Sequence, residues 1–240
     1  MTDKMTLLRY NGSVCISGLT ASGKSTHSHL LAGEFGLTYV SGSQILLNFA
    51  GISPIQPKDF WVTPEARRLK AEDGYALIDS ELLRIESIGK GYIFDTSTQP
   101  WRHKQPALCI WLESDLNSRV LKSVVSHRGR GKLRIDEYSE KITEKDNDTI
   151  GLCRALYGIE IGTDLSPFDL ILDISSLIRE ASLDASLESI RVAHSFIRPA
   201  AAWYLTGRPE FEAQFRNAIS QHPHVVKHNA LTAGSIEAPK

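Results

Sequence analysis

Eight residues, Gly18-Leu19-Thr20-Ala21-Ser22-Gly23-Lys24-Ser25, constrain what this chain can fold into more than any other stretch. They follow the phosphate-cradling pattern of glycine, four residues, then Gly-Lys-Ser. The glycines let the backbone turn tightly and bring its N–H groups close to phosphate oxygens, where a Cβ would obstruct. The surroundings fit the motif. Ser13-Val14-Cys15-Ile16-Ser17 is an apolar run suited to a buried strand, and Leu30, Leu31 and Phe35 recur at helical spacing after Lys24. Strand, loop and helix thus follow in the required order, and the helix N-terminus adds partial positive charge to the loop. The nucleotide-binding candidates are Gly18, Thr20, Ala21, Ser22, Gly23, Lys24, Ser25 and Thr26. Lys24 is placed to reach the β- and γ-phosphates of ATP, and Ser25 to join the coordination of Mg²⁺.

With 240 residues and a net charge of −1, the chain has room for one well-cored domain and shows no excess charge that would point to a nucleic-acid partner. Cys15, Cys109 and Cys153 stand singly, which suits small buried hydrophobes and neither a disulfide framework nor a zinc site. No long apolar run points to a membrane, and the expected location is the cytoplasm. An Asn-Lys-x-Asp guanine-reading run is missing from the sequence, which argues against a switch GTPase. Whether the chain is a monomer or a homodimer is left open.

Along the chain, Leu37–Val40 reads as a second strand and Ser43–Phe49 as a helix. Residues 51–62 have no period, and Thr63-Pro64 opens a helix that continues to about Ile88. Tyr92–Asp95, the continuous apolar run Ala107–Leu112, and Phe168–Asp173 read as further strands. Helices are expected over Asp115–His127, Ile135–Tyr157, Asp184–Ile197 with a stop at Pro199, and Pro209–Ile219. His222, His224 and His228 then fall in a solvated tail. Strands alternating with helices predict an α/β class, a three-layer, doubly wound parallel sheet with ligands at the strand C-termini. The expected division is a domain over 1–199, with acceptor-side helices in 41–90 and a basic lid in 128–145, and a C-terminal extension over 200–240.

These residues resemble the short form of the cytidylate-kinase-like branch of the P-loop nucleoside monophosphate kinases, over roughly residues 12 to 195. Beyond the loop, the likeness lies in Tyr39-Val40-Ser41-Gly42-Ser43-Gln44-Ile45, Ile78-Asp79, Leu156-Tyr157-Gly158-Ile159-Glu160-Ile161 and Asp164 to Asp173. It implies transfer of the γ-phosphoryl of Mg-ATP to a small-molecule acceptor. Departures are informative. Where the family carries an arginine, Ser43-Gln44-Ile45-Leu46-Leu47 ends in leucine; where it has Gly-Arg after the third strand, this chain has Asp95-Thr96-Ser97-Thr98; Lys145-Asp146 stands for Arg-Glu. Phosphate clamps expected for a monophosphate acceptor are therefore missing, unless Arg102 or Arg67 replaces them.

The catalytic candidates are Lys24, Asp95 and the lid cations Arg128, Arg130 and Arg134, with Lys132 among them. The acceptor-side candidates are Ser43, Asp79, Asp95, Arg102, Lys145 and Arg154. Asp95 has three readings: holding Mg²⁺ through water, accepting a proton from an acceptor hydroxyl, or capping a turn. Two acceptor classes stay open, a nucleoside monophosphate and the hydroxyl of a nucleoside or other small molecule. The alternative of another kind is a non-catalytic nucleotide-binding regulator.

Overall fold

The structure is a computed structural model and describes residues 10, 12–49, 51, 74–127 and 134–232. Its centre is β1, Ser13–Ser17, buried along its whole length. The sheet runs β2 (Thr38–Ser41), β3 (Tyr92–Asp95), β1, β4 (Ala107–Glu113), β5 (Leu170–Asp173), β6 (Val226–Asn229) in spatial order. The pairings from β2 to β5 are parallel, and β6 joins β5 antiparallel.

Period-two alternation along the central strands sends successive side chains to opposite faces, so each face has its own apolar layer. Val14, Ile16, Leu108, Ile110 and Leu112 pack on one side with Leu31 and Phe35 of α1 (Lys24–Phe35), Phe196 and Trp203 of α7 (Leu183–Thr206), and Phe215 of α8 (Pro209–Gln221). Cys15, Phe94, Cys109 and Trp111 pack on the other with Leu46 of α2 (Gly42–Phe49), Leu82 of α3 (Tyr75–Ile88) and Cys153 of α6 (Ile135–Tyr157). A short α4 (Gln99–Arg102) follows β3, and α5 (Leu116–Ser126) follows β4. This is the three-layer α/β architecture expected from the sequence, with the loop 18–25 at the C-terminal end of β1. The helix start at Thr63-Pro64 and the irregular segment before it lie outside the described residues.

Three expectations are corrected. Pro199 does not stop a helix: α7 continues through it to Thr206. A helix-interior proline forfeits one backbone hydrogen bond and costs about 3 kcal/mol. Here it lies amid the buried Phe196, Ile197, Ala200, Ala201, Ala202 and Trp203, and burial of that face outweighs the local break. The tail after α8 is not simply solvated, because β6 closes the sheet edge and Val225 is fully buried. Finally, Phe168 and Asp169 precede β5 instead of beginning it. Asp169 bonds Cys109 twice, its Oδ2 accepting the Cys109 N–H at 2.8 Å and its own N–H donating to the Cys109 carbonyl at 2.9 Å. All three cysteines are buried and none is in a disulfide, and no helix among the described residues is long and apolar enough to cross a membrane. The three tail histidines form no metal-holding group, nor does any other set of three ligand-type residues among those described.

Where α1 packs on α7, His27 and His194 stack with ring centroids 5.5 Å apart, and His194 Nε2 lies 3.2 Å from Glu34, which also pairs with Arg198. Burial, then the charges of His194 and Lys122, push the His27 pKa down to about 3. Below pH 6.5 the unfolded chain takes a proton that the folded chain refuses, so stability falls as pH drops through that window. Denaturant titrations at pH 7 and pH 5 are expected to differ by about 2 kcal/mol from this group. In His27→Asn that component should vanish; an equal pH dependence in the variant would refute it.

Candidate active site

The loop between β1 and α1 owes its shape to two glycines and one strained alanine. At Gly18, φ 153°, an added Cβ would lie 2.6 Å from the Leu112 carbonyl oxygen, so only glycine fits beneath β4. Gly23, φ 105°, caps the N-terminus of α1. Lys24 Nζ folds back to donate to the carbonyls of Gly18 (2.8 Å) and Leu19 (3.0 Å). Burial lowers the pKa of this ammonium, opposed by the charges of Asp95 and Asp146.

Asp95 ends β3, beside Ile16 of β1 and Ser41 of β2. Its Oδ2 accepts from Ser25 Oγ at 2.6 Å and from the Tyr39 hydroxyl at 2.8 Å. Burial and the Asp95 charge together raise the Tyr39 pKa, keeping the phenol a donor. The Ser25 hydroxyl thus donates its proton to the carboxylate, which leaves that oxygen's lone pairs for a ligand, a donor set suited to a hard divalent cation such as Mg²⁺. This arrangement does not match the turn-capping reading of Asp95, because Oδ2 accepts from two side chains distant in sequence.

Among the residues lining the cleft are Gly18, Thr20, Lys24, Ser43, Tyr75, Ile78, Asp95, Thr96, Ser97, Thr98, Lys145, Asp146 and Thr149. Of the acceptor-side candidates, Ser43, Asp95 and Lys145 therefore meet at one place. Asp79 lies one layer behind, 3% exposed, where its Oδ1 accepts from Thr98 Oγ1 at 2.7 Å and its Oδ2 is 3.5 Å from Arg102 Nε. The Arg102 guanidinium covers the Tyr157 ring at 4.3 Å. Asp79 thus touches the cleft lining through Thr98, and Arg102 is linked to it through Asp79.

Arg154 does not join them. It lies on the outer face of α6, 61% exposed and paired with Glu160 at 2.6 Å, because the turn at Gly158 folds the chain back beside it. Arg134 stands just before α6, 73% exposed and paired with Asp136. Arg128, Arg130 and Lys132 lie outside the described residues, as does Arg67. Trp101 packs edge-on against Phe168 at 5.2 Å and donates to Asp164 at 3.0 Å, which places it in the protein wall.

Tyr39, Arg119, Thr149 and Asp146 were not singled out from the sequence as site residues. Tyr39 sits within the stretch that carries the family likeness, and Asp146 stands where the family has an acidic residue, so both had a local signal. Arg119 had none.

No family model matches the chain. Among curated proteins it is similar to the cytidylate kinase of Sulfurisphaera tokodaii, 28% identical over 171 residues that cover 68% of this chain and 87% of the relative. The cytidylate kinase of Methanopyrus kandleri is 26% identical over 193 residues, covering 73% of this chain and 94% of the relative. Among solved structures, shikimate kinase from Acinetobacter baumannii in complex with shikimate overlaps 78% of this chain and 93% of its own at 12% identity and a TM-score of 0.44, too distant to bear on the site. Loop, strand order and sequence likeness agree: the chain is a P-loop phosphotransferase similar to cytidylate kinases.

Proposed function

We propose that this chain transfers the γ-phosphoryl of ATP to the hydroxyl of a small molecule held between α2, α3 and α6. The observation that carries the reading is the Ser25–Asp95 hydrogen bond beside Lys24, at a cleft whose lining is rich in hydroxyl residues. Ser43, Thr96, Ser97, Thr98 and Thr149 are among them, and Lys24 and Lys145 are the cations among the described lining residues. Hydroxyl groups suit a neutral polar acceptor; a phosphate dianion calls for guanidinium forks.

Ser25, with Asp95 behind it, would hold Mg²⁺, which when bound neutralises charge on the phosphates. The loop amides orient the triphosphate, and Lys24 exchanges its two carbonyl partners for phosphate oxygens, adding a positive charge where negative charge is redistributed. The free lone pairs of Asp95 are placed to accept the proton of an attacking hydroxyl. Apolar Ile78 and Ile161 and the Tyr75 ring limit water at the acceptor end. Three buried cysteines outside any disulfide fit the reducing interior expected for a cytoplasmic enzyme.

A second reading, a nucleoside monophosphate acceptor, is favoured by the similarity to cytidylate kinases. ADP release with Mg-ATP separates the two. The panel holds CMP, dCMP, UMP and AMP beside free nucleosides, sugars and amino alcohols. The expected result is turnover with a phosphate-free hydroxyl compound at least tenfold above that with CMP. Fastest turnover with CMP or dCMP would install the second reading, and ATP binding without any turnover would favour a regulator.

A further inference from the structure

The apex of the phosphate loop is gripped from outside the loop. Asp146 of α6 accepts the Thr20 N–H on Oδ1 at 2.9 Å, and Arg119 of α5 donates from Nη1 to the Thr20 carbonyl at 3.1 Å. The two side chains are ion-paired with each other, each 6% exposed, and Arg119 Nε is tied to the Ser114 carbonyl at 3.0 Å. Both backbone polar groups of one residue, Thr20, are therefore clamped by one buried pair.

The next residue explains why a clamp is needed. Ala21 has φ 63° and is the one non-glycine residue with positive φ among those described. An L-residue in that region carries a steric penalty and persists only where its surroundings over-determine it. Its side chain also packs on the cluster of Val120, Tyr138 and Ile142 from the same two helices. With the turn held, the following N–H groups stay directed at the phosphate position.

We propose that Asp146, together with Arg119, is a positioning pair that holds the Thr20–Ala21 turn in its phosphate-receiving form and so sets the affinity for the triphosphate. The proposal rests on the reading of residues 18–25 as a nucleotide site. It also makes the placement of α6, which carries Lys145 into the cleft, depend on the same contacts that shape the loop.

Calorimetric titration of the full chain with Mg-ATP tests this without any acceptor. Asp146→Ala is expected to bind about tenfold more weakly, the factor for an L-residue free to leave the left-handed region. That variant strands Arg119 as a lone buried charge, so Arg119→Met combined with Asp146→Leu forms a second arm, with similar volume and no stranded charge, and the same weakening is expected. Adding Ala21→Gly to either is expected to restore affinity to within about threefold of the unaltered chain while leaving the parent variant's melting temperature unrestored, because glycine adopts positive φ without support. Unweakened binding by the paired replacement, or a deficit that glycine does not repair, overturns the proposal while leaving the nucleotide site standing. Failure of the unaltered chain to bind Mg-ATP overturns both.

Discussion

Replacing Lys24 with alanine is expected to lower kcat by about 10²- to 10³-fold, the range for removing one preorganised charge from a transition state. The fold should survive, because the ammonium's present partners are two loop carbonyls at the cleft surface, which water can satisfy once the side chain is gone. Lys24→Arg should recover little, since a planar fork on a longer stem cannot reproduce a compact charge in a partly buried niche. Single-turnover rates measured beside a thermal melt check both halves. A loss in rate accompanied by a lower melting temperature of similar proportion would instead mark Lys24 as structural. Undiminished turnover would remove it from the chemistry.

Asp95→Asn should be nearly as damaging, with a more informative pattern. Oδ2 accepts two hydroxyl protons, from Ser25 and Tyr39; an amide oxygen in its place can keep both bonds, but the amide carries no charge and puts an NH2 where the second carboxylate oxygen stood. The expected loss is about 100-fold or more in kcat with hydroxyl acceptors, with the Mg²⁺ dependence moved to higher concentration because the negative charge behind Ser25 is gone. Tyr39→Phe removes one donor and keeps the charge, and should lose less than tenfold. Unaltered turnover in Asp95→Asn would end the base role, and an unaltered Mg²⁺ dependence would end the metal-orienting one.

Much of this was legible in the residues because it was local. The loop, α1 behind it and the all-apolar β4 each follow from runs whose period and punctuation need no distant partner, and α6 matched its expected bounds of 135 and 157. What escaped depends on tertiary contact. Pro199 is a helix breaker by itself, and its tolerance comes from the alanine-rich packing on either side of it, which no local rule weighs. β6 has an ordinary polar sequence, Val-Lys-His-Asn, and is a strand because β5 offers it an edge. Arg119 and Asp146 are 27 residues apart, and nothing in their neighbourhoods announces a pair. Arg154 had the right charge and helix for the acceptor site but the wrong face, and with the arginine run 128–134 only partly described, helix phase was the missing information.

The strand order carries a consequence for how the molecule is made. β1 lies inside the sheet, and on its β4 side β6 is the outer margin, later in sequence than β4 and β5. On that side the sheet therefore fills outward from β1 as the chain leaves the ribosome, and one flank of β5 stays open until residues 226–229 have been made. A nascent or shortened chain ending near residue 199 would have only residues 183–199 of α7 and a bare row of backbone hydrogen-bonding groups on β5, the kind of edge that recruits other chains. β6 would then serve as a seal on that edge.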